Sequence, residues 1–152
     1  PVMWRGEDTD TEGKLEFEKY VSELKEKYGY TDWYNWRVDK WGTKWDVDDS
    51  ALEFKLEGDG MCSIEGVFNS AWSPPIAALN TFCTNNQATY AKLYYYEPGL
   101  AFTGKWTSED EDEYYEFSEA TSSTIEDIIP EDIDDMFGIS ESLKHWEESQ
   151  EE

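Results

Sequence analysis

The sequence predicts an α+β fold on three observations. Apolar residues recur at helical spacing over residues 12–28. Two later stretches alternate apolar and polar residues around tight turns, at Gly58-Asp59-Gly60 and at Glu97-Pro98-Gly99. Between those hairpins, Pro74-Pro75 stops a strand and opens a short helical run.

Taken in order, residues 1–5 read as a short first strand. Residues 6–13 are polar and acidic, with Thr9 or Thr11 placed to cap the first helix. That helix carries Phe17, Tyr20, Val21, Leu24 and Tyr28 on one stripe, with Leu15 just off it. Gly29 supplies its C-terminal cap. Residues 30–46 hold four Trp, and the joint at Gly42 makes them a folded excursion instead of one long helix. Residues 51–57 and 61–68 form the first hairpin. A helix over residues 75–84 places Ile76, Leu79, Phe82 and Cys83 on one side, and residues 89–96 and 100–106 form the second hairpin. Residues 114–117 read as a last edge strand, and residues 121–130 show no clear period. Residues 130–137 read as a helical turn ended by Gly138, with Ser140 capping a terminal helix to residue 148. Strand, helix, strand, strand, helix, strand is the split βαβ order of a ferredoxin-like sheet. An aromatic-rich insertion follows the first helix at about residues 30–50, and an acidic, partly helical extension follows the body.

Charge divides the chain. Thirty-six acids against twelve bases leave a net charge of -24, while 38% hydrophobic content with eight Trp, ten Tyr and seven Phe supplies the burial a fold needs. Residues 1–106 carry 18 acids and 11 bases; residues 107–152 carry 18 acids and one base, Lys144. The expected organisation is a body over 1–106 and an acidic extension over 107–152, partly packed on the body with its last residues frayed. Tyr114, Phe117, Ile128, Ile129, Ile133, Met136, Phe137 and Ile139 interrupt the acids of that extension and give it something to bury. Such charge disfavours direct binding to a phosphate backbone or an anionic bilayer and favours basic partners. Cys62 and Cys83 fit a reducing compartment such as the cytoplasm. No apolar run approaches a membrane span, and no charged-then-apolar signal segment opens the chain at Pro1.

Catalytic motifs are sparse. His145 is the single histidine, and nothing positions Cys62, Cys83 or a Ser beside it. Asp46, Asp48 and Asp49 cluster, but without the Gly and the offset Glu of a calcium loop. One His and two distant Cys do not complete a zinc site, and Gly58-Asp59-Gly60 joins strands instead of opening a helix on a phosphate. The expectation is a non-enzymatic protein without cofactor or metal. Two features remain for binding. The Trp cluster, Trp33, Trp36, Trp41, Trp45 and Trp72, reads either as an aromatic mini-core or as a platform that stacks bases, sugars or a peptide proline. Within it, Lys44 either pairs with Asp46 or Asp32 or stacks on a ring. The acidic candidates are Glu109, Asp110, Glu111, Asp112, Glu113, Glu116, Glu126, Asp127, Glu131, Asp132, Asp134 and Asp135. They read either as a solvated tail or as a folded face that imitates a phosphate array and occupies a basic groove.

Several blocks resemble one family. Asp32-Trp33-Tyr34-Asn35-Trp36, Trp41-Gly42-Thr43-Lys44-Trp45-Asp46, Phe68-Asn69-Ser70-Ala71-Trp72-Ser73-Pro74-Pro75, and Glu97-Pro98-Gly99 followed by Phe102 and Gly104 stand in the order of the YubB ferredoxin-like domain family. Members of that family occur in bacteriophages and conjugative plasmids. Ile129-Pro130-Glu131 to Phe137-Gly138-Ile139 is similar to its C-terminal end, so the resemblance spans about residues 15–139. It implies the ferredoxin-like fold and a mobile-element origin, with no agreed activity and hence no catalytic residue to carry over. Family members open with a longer first strand bearing an Asn-Trp-Cys segment, where this chain offers only residues 2–5. The combined expectation is an accessory protein that binds a basic protein surface, as a DNA mimic against a host nucleic-acid-binding or defence protein. The alternatives are a nucleic-acid-binding module using the Trp cluster, with a basic patch around Arg5, Lys14, Arg37, Lys40, Lys44, Lys92 and Lys105, and a structural mobile-element protein.

Overall fold

In a computed structural model, the described residues are 11–87 and 89–150. The first strand expected at residues 1–5 lies outside them. The chain forms two compact units, Pro1–Ala78 and Leu79–Glu152.

In the first unit, helix α1 spans Thr11–Tyr28. Phe17, Val21 and Leu24 are half-buried along its stripe, while Tyr20 and Tyr28 of the same stripe, and Leu15 off it, are exposed. Gly29 ends it in the left-handed region at φ 80°, its N–H donating to the Lys25 carbonyl at 2.9 Å. The Trp-rich excursion contains a second helix, α2, over Trp33–Trp41. Asp32 caps its start by accepting from the Asn35 N–H at 2.9 Å, which holds the Asp32 carboxyl below the usual carboxylate range. Gly42 ends it at φ 77°, donating to the Val38 carbonyl. Strands β1, Leu52–Leu56, and β2, Cys62–Gly66, pair antiparallel with Phe54 opposite Ile64, joined through a 3-10 turn at Gly58–Gly60.

Helix α3, Ile76–Asn85, follows Pro74-Pro75. In the second unit, β3 (Lys92–Glu97), β4 (Phe102–Thr107) and β5 (Glu113–Glu116) form an antiparallel meander in the order β3-β4-β5. Tyr95, Gly104 and Tyr114 stand abreast in its register. A Cβ on Gly104 would collide with the Tyr95 hydroxyl, so the glycine lets that ring cross β4 and donate to Asp112 at 2.8 Å. On the opposite face, Tyr94, Tyr96 and Tyr115 pack against a core of Phe117, Ile125, Ile129, Ile133 and Ile139. Tyr96 stacks on Phe117 and Phe137 with centroids 6.0 and 5.3 Å apart. Helix α4, Glu131–Phe137, ends at Gly138 in the left-handed region (φ 60°), and α5, Ile139–Gln150, starts at once.

The α+β class therefore holds, with helices and antiparallel sheets in one chain. The described strands make two separate sheets, one of two strands and one of three, where a ferredoxin-like reading expects one. The boundary expected after Trp106 falls inside β4, and the acidic segment beyond it builds the core of the second unit. Ser140 does not cap the terminal helix, because Ile139 already belongs to α5. Ser140 instead donates its N–H to the Asp134 carboxylate at 2.8 Å, so the capping group comes from α4.

Ile133 is fully buried and Ile128, a few residues before it, is 36% exposed. Ile133→Ala is expected to destabilise the second unit by about 2–5 kcal/mol and Ile128→Ala by roughly 1 kcal/mol or less, read by denaturant unfolding. Equal losses at the two positions would contradict this core.

Candidate functional site

All twelve acidic candidates lie in the second unit. Glu109, Asp110, Glu111 and Asp112 occupy the β4–β5 loop, Glu113 and Glu116 begin and end β5, and Glu126 and Asp127 sit in a 3-10 turn at Ile125–Asp127. Glu131, Asp132, Asp134 and Asp135 lie on α4. Eleven are exposed and Asp134 is half-buried. They divide by what they touch. Asp110 accepts from the Thr107 hydroxyl, Asp112 from Tyr95, and Asp134 from the Ser140 N–H. Asp132 accepts from the Tyr94 hydroxyl at 2.9 Å and pairs with Lys105 at 3.2 Å, while Glu113 reaches the same ammonium at 3.6 Å. Among the described residues, no hydrogen bond or ion pair engages the carboxylates of Glu109, Glu111, Glu116, Glu126, Asp127, Glu131 or Asp135. These seven are the charges left to act outward.

Lys105 is the hub of this surface, only 18% exposed and held by two carboxylates from different elements. Its ammonium pKa is raised, chiefly by the hydrogen bond to Asp132. The Asp132 carboxyl is lowered, first by the Tyr94 hydroxyl and then by Lys105. Burial, followed by the Asp112 hydrogen bond, pushes the Tyr95 phenol up. Glu147, which the sequence does not single out, accepts from both the Ser122 N–H and hydroxyl at 2.8 and 2.6 Å and ties α5 to the segment before the 3-10 turn. A single Glu in a C-terminal acidic run gives no local signal for that contact.

The aromatic candidates lie in the first unit, and they are not a buried mini-core. Trp33, Trp45 and Trp72 are 56%, 52% and 63% exposed, while Trp36 and Trp41 are half-buried and meet edge to face at 5.7 Å. On α2, Arg37 lies over Trp33 and Trp41 at 5.4 and 4.6 Å, four residues from each. Lys44 stacks on rings: its ammonium stands 4.4 Å from Trp45, 4.7 Å from Trp72 and 5.8 Å from Tyr34. A hydrogen-bonded latch brings these rings together. Thr43, 3% exposed, donates its hydroxyl to the Ala71 carbonyl at 2.8 Å and accepts from the Ala71 N–H at 3.2 Å. Ser73 donates to the Gly42 carbonyl, and Ser70 to the Ser73 carbonyl at 2.8 Å. The Trp-Gly-Thr-Lys-Trp and Ala-Trp-Ser-Pro-Pro blocks thus meet in space. Between Ala71 and Ser73, Trp72 is held at φ 72°, a left-handed conformation that costs a bulky L-residue about 1–3 kcal/mol.

Of the expected basic patch, Arg5 lies outside the described residues, and Lys14 sits on α1 apart in sequence from the Trp cluster. Arg37 and Lys44 lie on aromatic rings, Lys40 is 2.9 Å from Asp39, and Lys105 is neutralised by carboxylates. Both cysteines are free thiols, Cys62 exposed and Cys83 buried. Among the described residues, no group of three or more His, Cys, Asp or Glu converges as metal ligands do, and no helix is long and apolar enough to cross a membrane. No family model matches the chain, and no similar curated protein or solved structure was found.

Two outcomes test this geometry. Because the Asp132 pKa is depressed in the folded state, its pairing stabilises above the ordinary carboxylate pKa and is lost as pH falls through the folded value. The stability gap between wild type and Asp132→Asn should therefore be full at neutral pH and shrink below about pH 4, whatever the other carboxylates do to both proteins alike. Trp72→Gly should be more stable than Trp72→Ala by about 1 kcal/mol in chemical denaturation, since only glycine is free of the left-handed penalty. A more stable alanine variant would show that position 72 does not hold this conformation.

Proposed function

We propose that this chain is a non-enzymatic phage or plasmid accessory protein, cytoplasmic in a bacterial host. Its second unit presents an acidic face to a basic protein surface and competes there with nucleic acid. The observation that carries the reading is the alternation of buried and charged residues over one short stretch. Ile125, Ile129 and Ile133 are buried, while Glu126, Asp127, Glu131 and Asp132 between them are exposed. Carboxylates anchored on a core keep fixed spacing, as phosphates on a duplex do, and lose less entropy on docking than those of a loose tail. The second unit carries 19 acids against three bases, so its long-range field draws basic clefts at low salt. The mobile-element origin, and with it a ferredoxin-like split βαβ sheet, rests on the resemblance of the Trp-rich and Pro-Pro blocks. That sheet needs a first strand, for which the sequence offers only residues 2–5.

A second reading, a nucleic-acid-binding module, draws on Arg37 and Lys44 lying against exposed indoles. The overall charge of -24 weighs against it.

Competition assays separate the two. The chain is expected to displace a fluorescent duplex from basic-groove host DNA-binding proteins. Replacing Glu109, Glu111, Glu126, Asp127 and Asp135 by Gln or Asn should slow association about tenfold and flatten its salt dependence. Displacement that ignores those five replacements would sink the acidic-face proposal. Direct binding of labelled single-stranded DNA to the chain, lost on Arg37→Met, would establish the second reading.

A further inference from the structure

Among the described residues, Lys44 is the one cation in the first unit surrounded by rings from separate stretches of chain. Its ammonium lies over Tyr34 of α2, Trp45 next to it in sequence, and Trp72 from the loop before α3. Arg37 differs, because both of its ring contacts lie four residues away on its own helix, an ordinary helix-surface arrangement. We propose that Tyr34, Trp45 and Trp72 form an aromatic cage for an external alkylated ammonium group, and that Lys44 is its internal stand-in.

Three features support a cage over incidental stacking. The rings are positioned by backbone that cannot easily relax: Thr43 binds both polar groups of Ala71, and Ser73 ties to Gly42. Trp72 carries a left-handed φ of 72° and yet leaves its indole 63% exposed, so the strain presents a ring to solvent and contributes nothing to a core. Trp45 is 52% exposed beside it, which gives a ligand access to the ring pair.

The occupant follows from charge. Ring faces attract cations, one already sits among them, and exposed Asp46, Asp48 and Asp49 follow Trp45 in the chain. An anion would meet those carboxylates and a protein of net charge -24. Among cations, a primary ammonium is compact and strongly hydrated, so an external lysine gains little by replacing the tethered one. A trimethylammonium group holds its water weakly and presents methyl groups to the rings, so it gains more from the same cage. Lys44 then acts as a plug. Its tether gives it an effective concentration on the order of millimolar, which an external ligand must overcome. The cage lies in the first unit and does not depend on the acidic face of the second.

The full chain titrated with tetramethylammonium chloride, against sodium chloride at equal ionic strength, tests this by calorimetry and by shifts of the indole N–H resonances. Lys44→Met keeps the apolar stem and removes the plug, and it should bind about tenfold more tightly than wild type. Trp45→Ala and Trp72→Ala, each placed in the Lys44→Met background and checked for folding by circular dichroism, should abolish that gain. Binding in Lys44→Met no tighter than wild type, or unaffected by both Trp replacements, would overturn the proposal. So would a nucleoside monophosphate that binds wild type and is lost in Lys44→Met, since an anion site needs the ammonium that a cation site must expel.

Discussion

The second unit must bury isoleucine inside the most acidic stretch of the chain, and its form follows from meeting both demands. Ile125, Ile133 and Ile139 are fully buried, yet acids follow Ile125 and flank Ile133 in sequence. Short helical turns solve this. A 3-10 turn places Ile125 inward and a seven-residue helix places Ile133 inward, while Glu126, Asp127, Glu131 and Asp132 stay exposed to water. The acids at the start of α4 also face the positive end of its dipole. Repulsion among those carboxylates is therefore offset by the burial that spaces them.

Lys105 is where the sheet and the acidic segment are joined by charge. It sits in β4 opposite Glu113 of β5 and beside Asp132 of α4, so one ammonium bridges three elements. An exposed pair of this kind contributes little, but Lys105 is mostly covered and its partner Asp132 is also fixed by the Tyr94 hydroxyl. The pairing fixes α4 against the meander more than it adds stability. Lys105 is thereby committed to internal structure, and the outward charge of this unit stays negative.

Local signals make much of this legible in the sequence. Gly29, Gly42 and Gly138 each end a helix in the left-handed region; Gly29 and Gly138 read as stops from sequence, and Gly42 only as a joint, since the helix before it has no clear period. Phe117, Ile129, Ile133 and Ile139 are visible as the folding residues of the acidic third. Ile128, Met136 and Tyr114, chosen by the same rule, turn outward, and Ile125 has no signal that sets it apart. Apolar identity shows that a segment folds, but one helical turn is too short to show which side faces in. Pairing within each hairpin is legible from its turn, and both form as expected, but the joining of hairpins into a sheet is illegible for a different reason. Which hairpin joins which is decided by contacts far apart in sequence, and the described strands resolve into two sheets. The Tyr95–Gly104 crossing is equally non-local: the Tyr-Tyr-Tyr run gives no hint which hydroxyl will reach Asp112.

The Trp cluster shows the limit from the other side. Its five indoles are conspicuous, but composition does not distinguish a core from a surface, since tryptophan serves both. What decides it is the backbone beneath. Two rare blocks 28 residues apart are latched through Thr43 and Ala71, and a stability-driven latch would turn the intervening ring inward to bury its area. Trp72 does the opposite, accepting a left-handed backbone while staying mostly exposed. Burying an indole would offset that strain; exposing it does not. The strain is offset only by what the exposed ring meets, and within the chain it meets the Tyr34 ring edge to face at 6.2 Å and Lys44, itself a partly exposed side chain with little burial to gain.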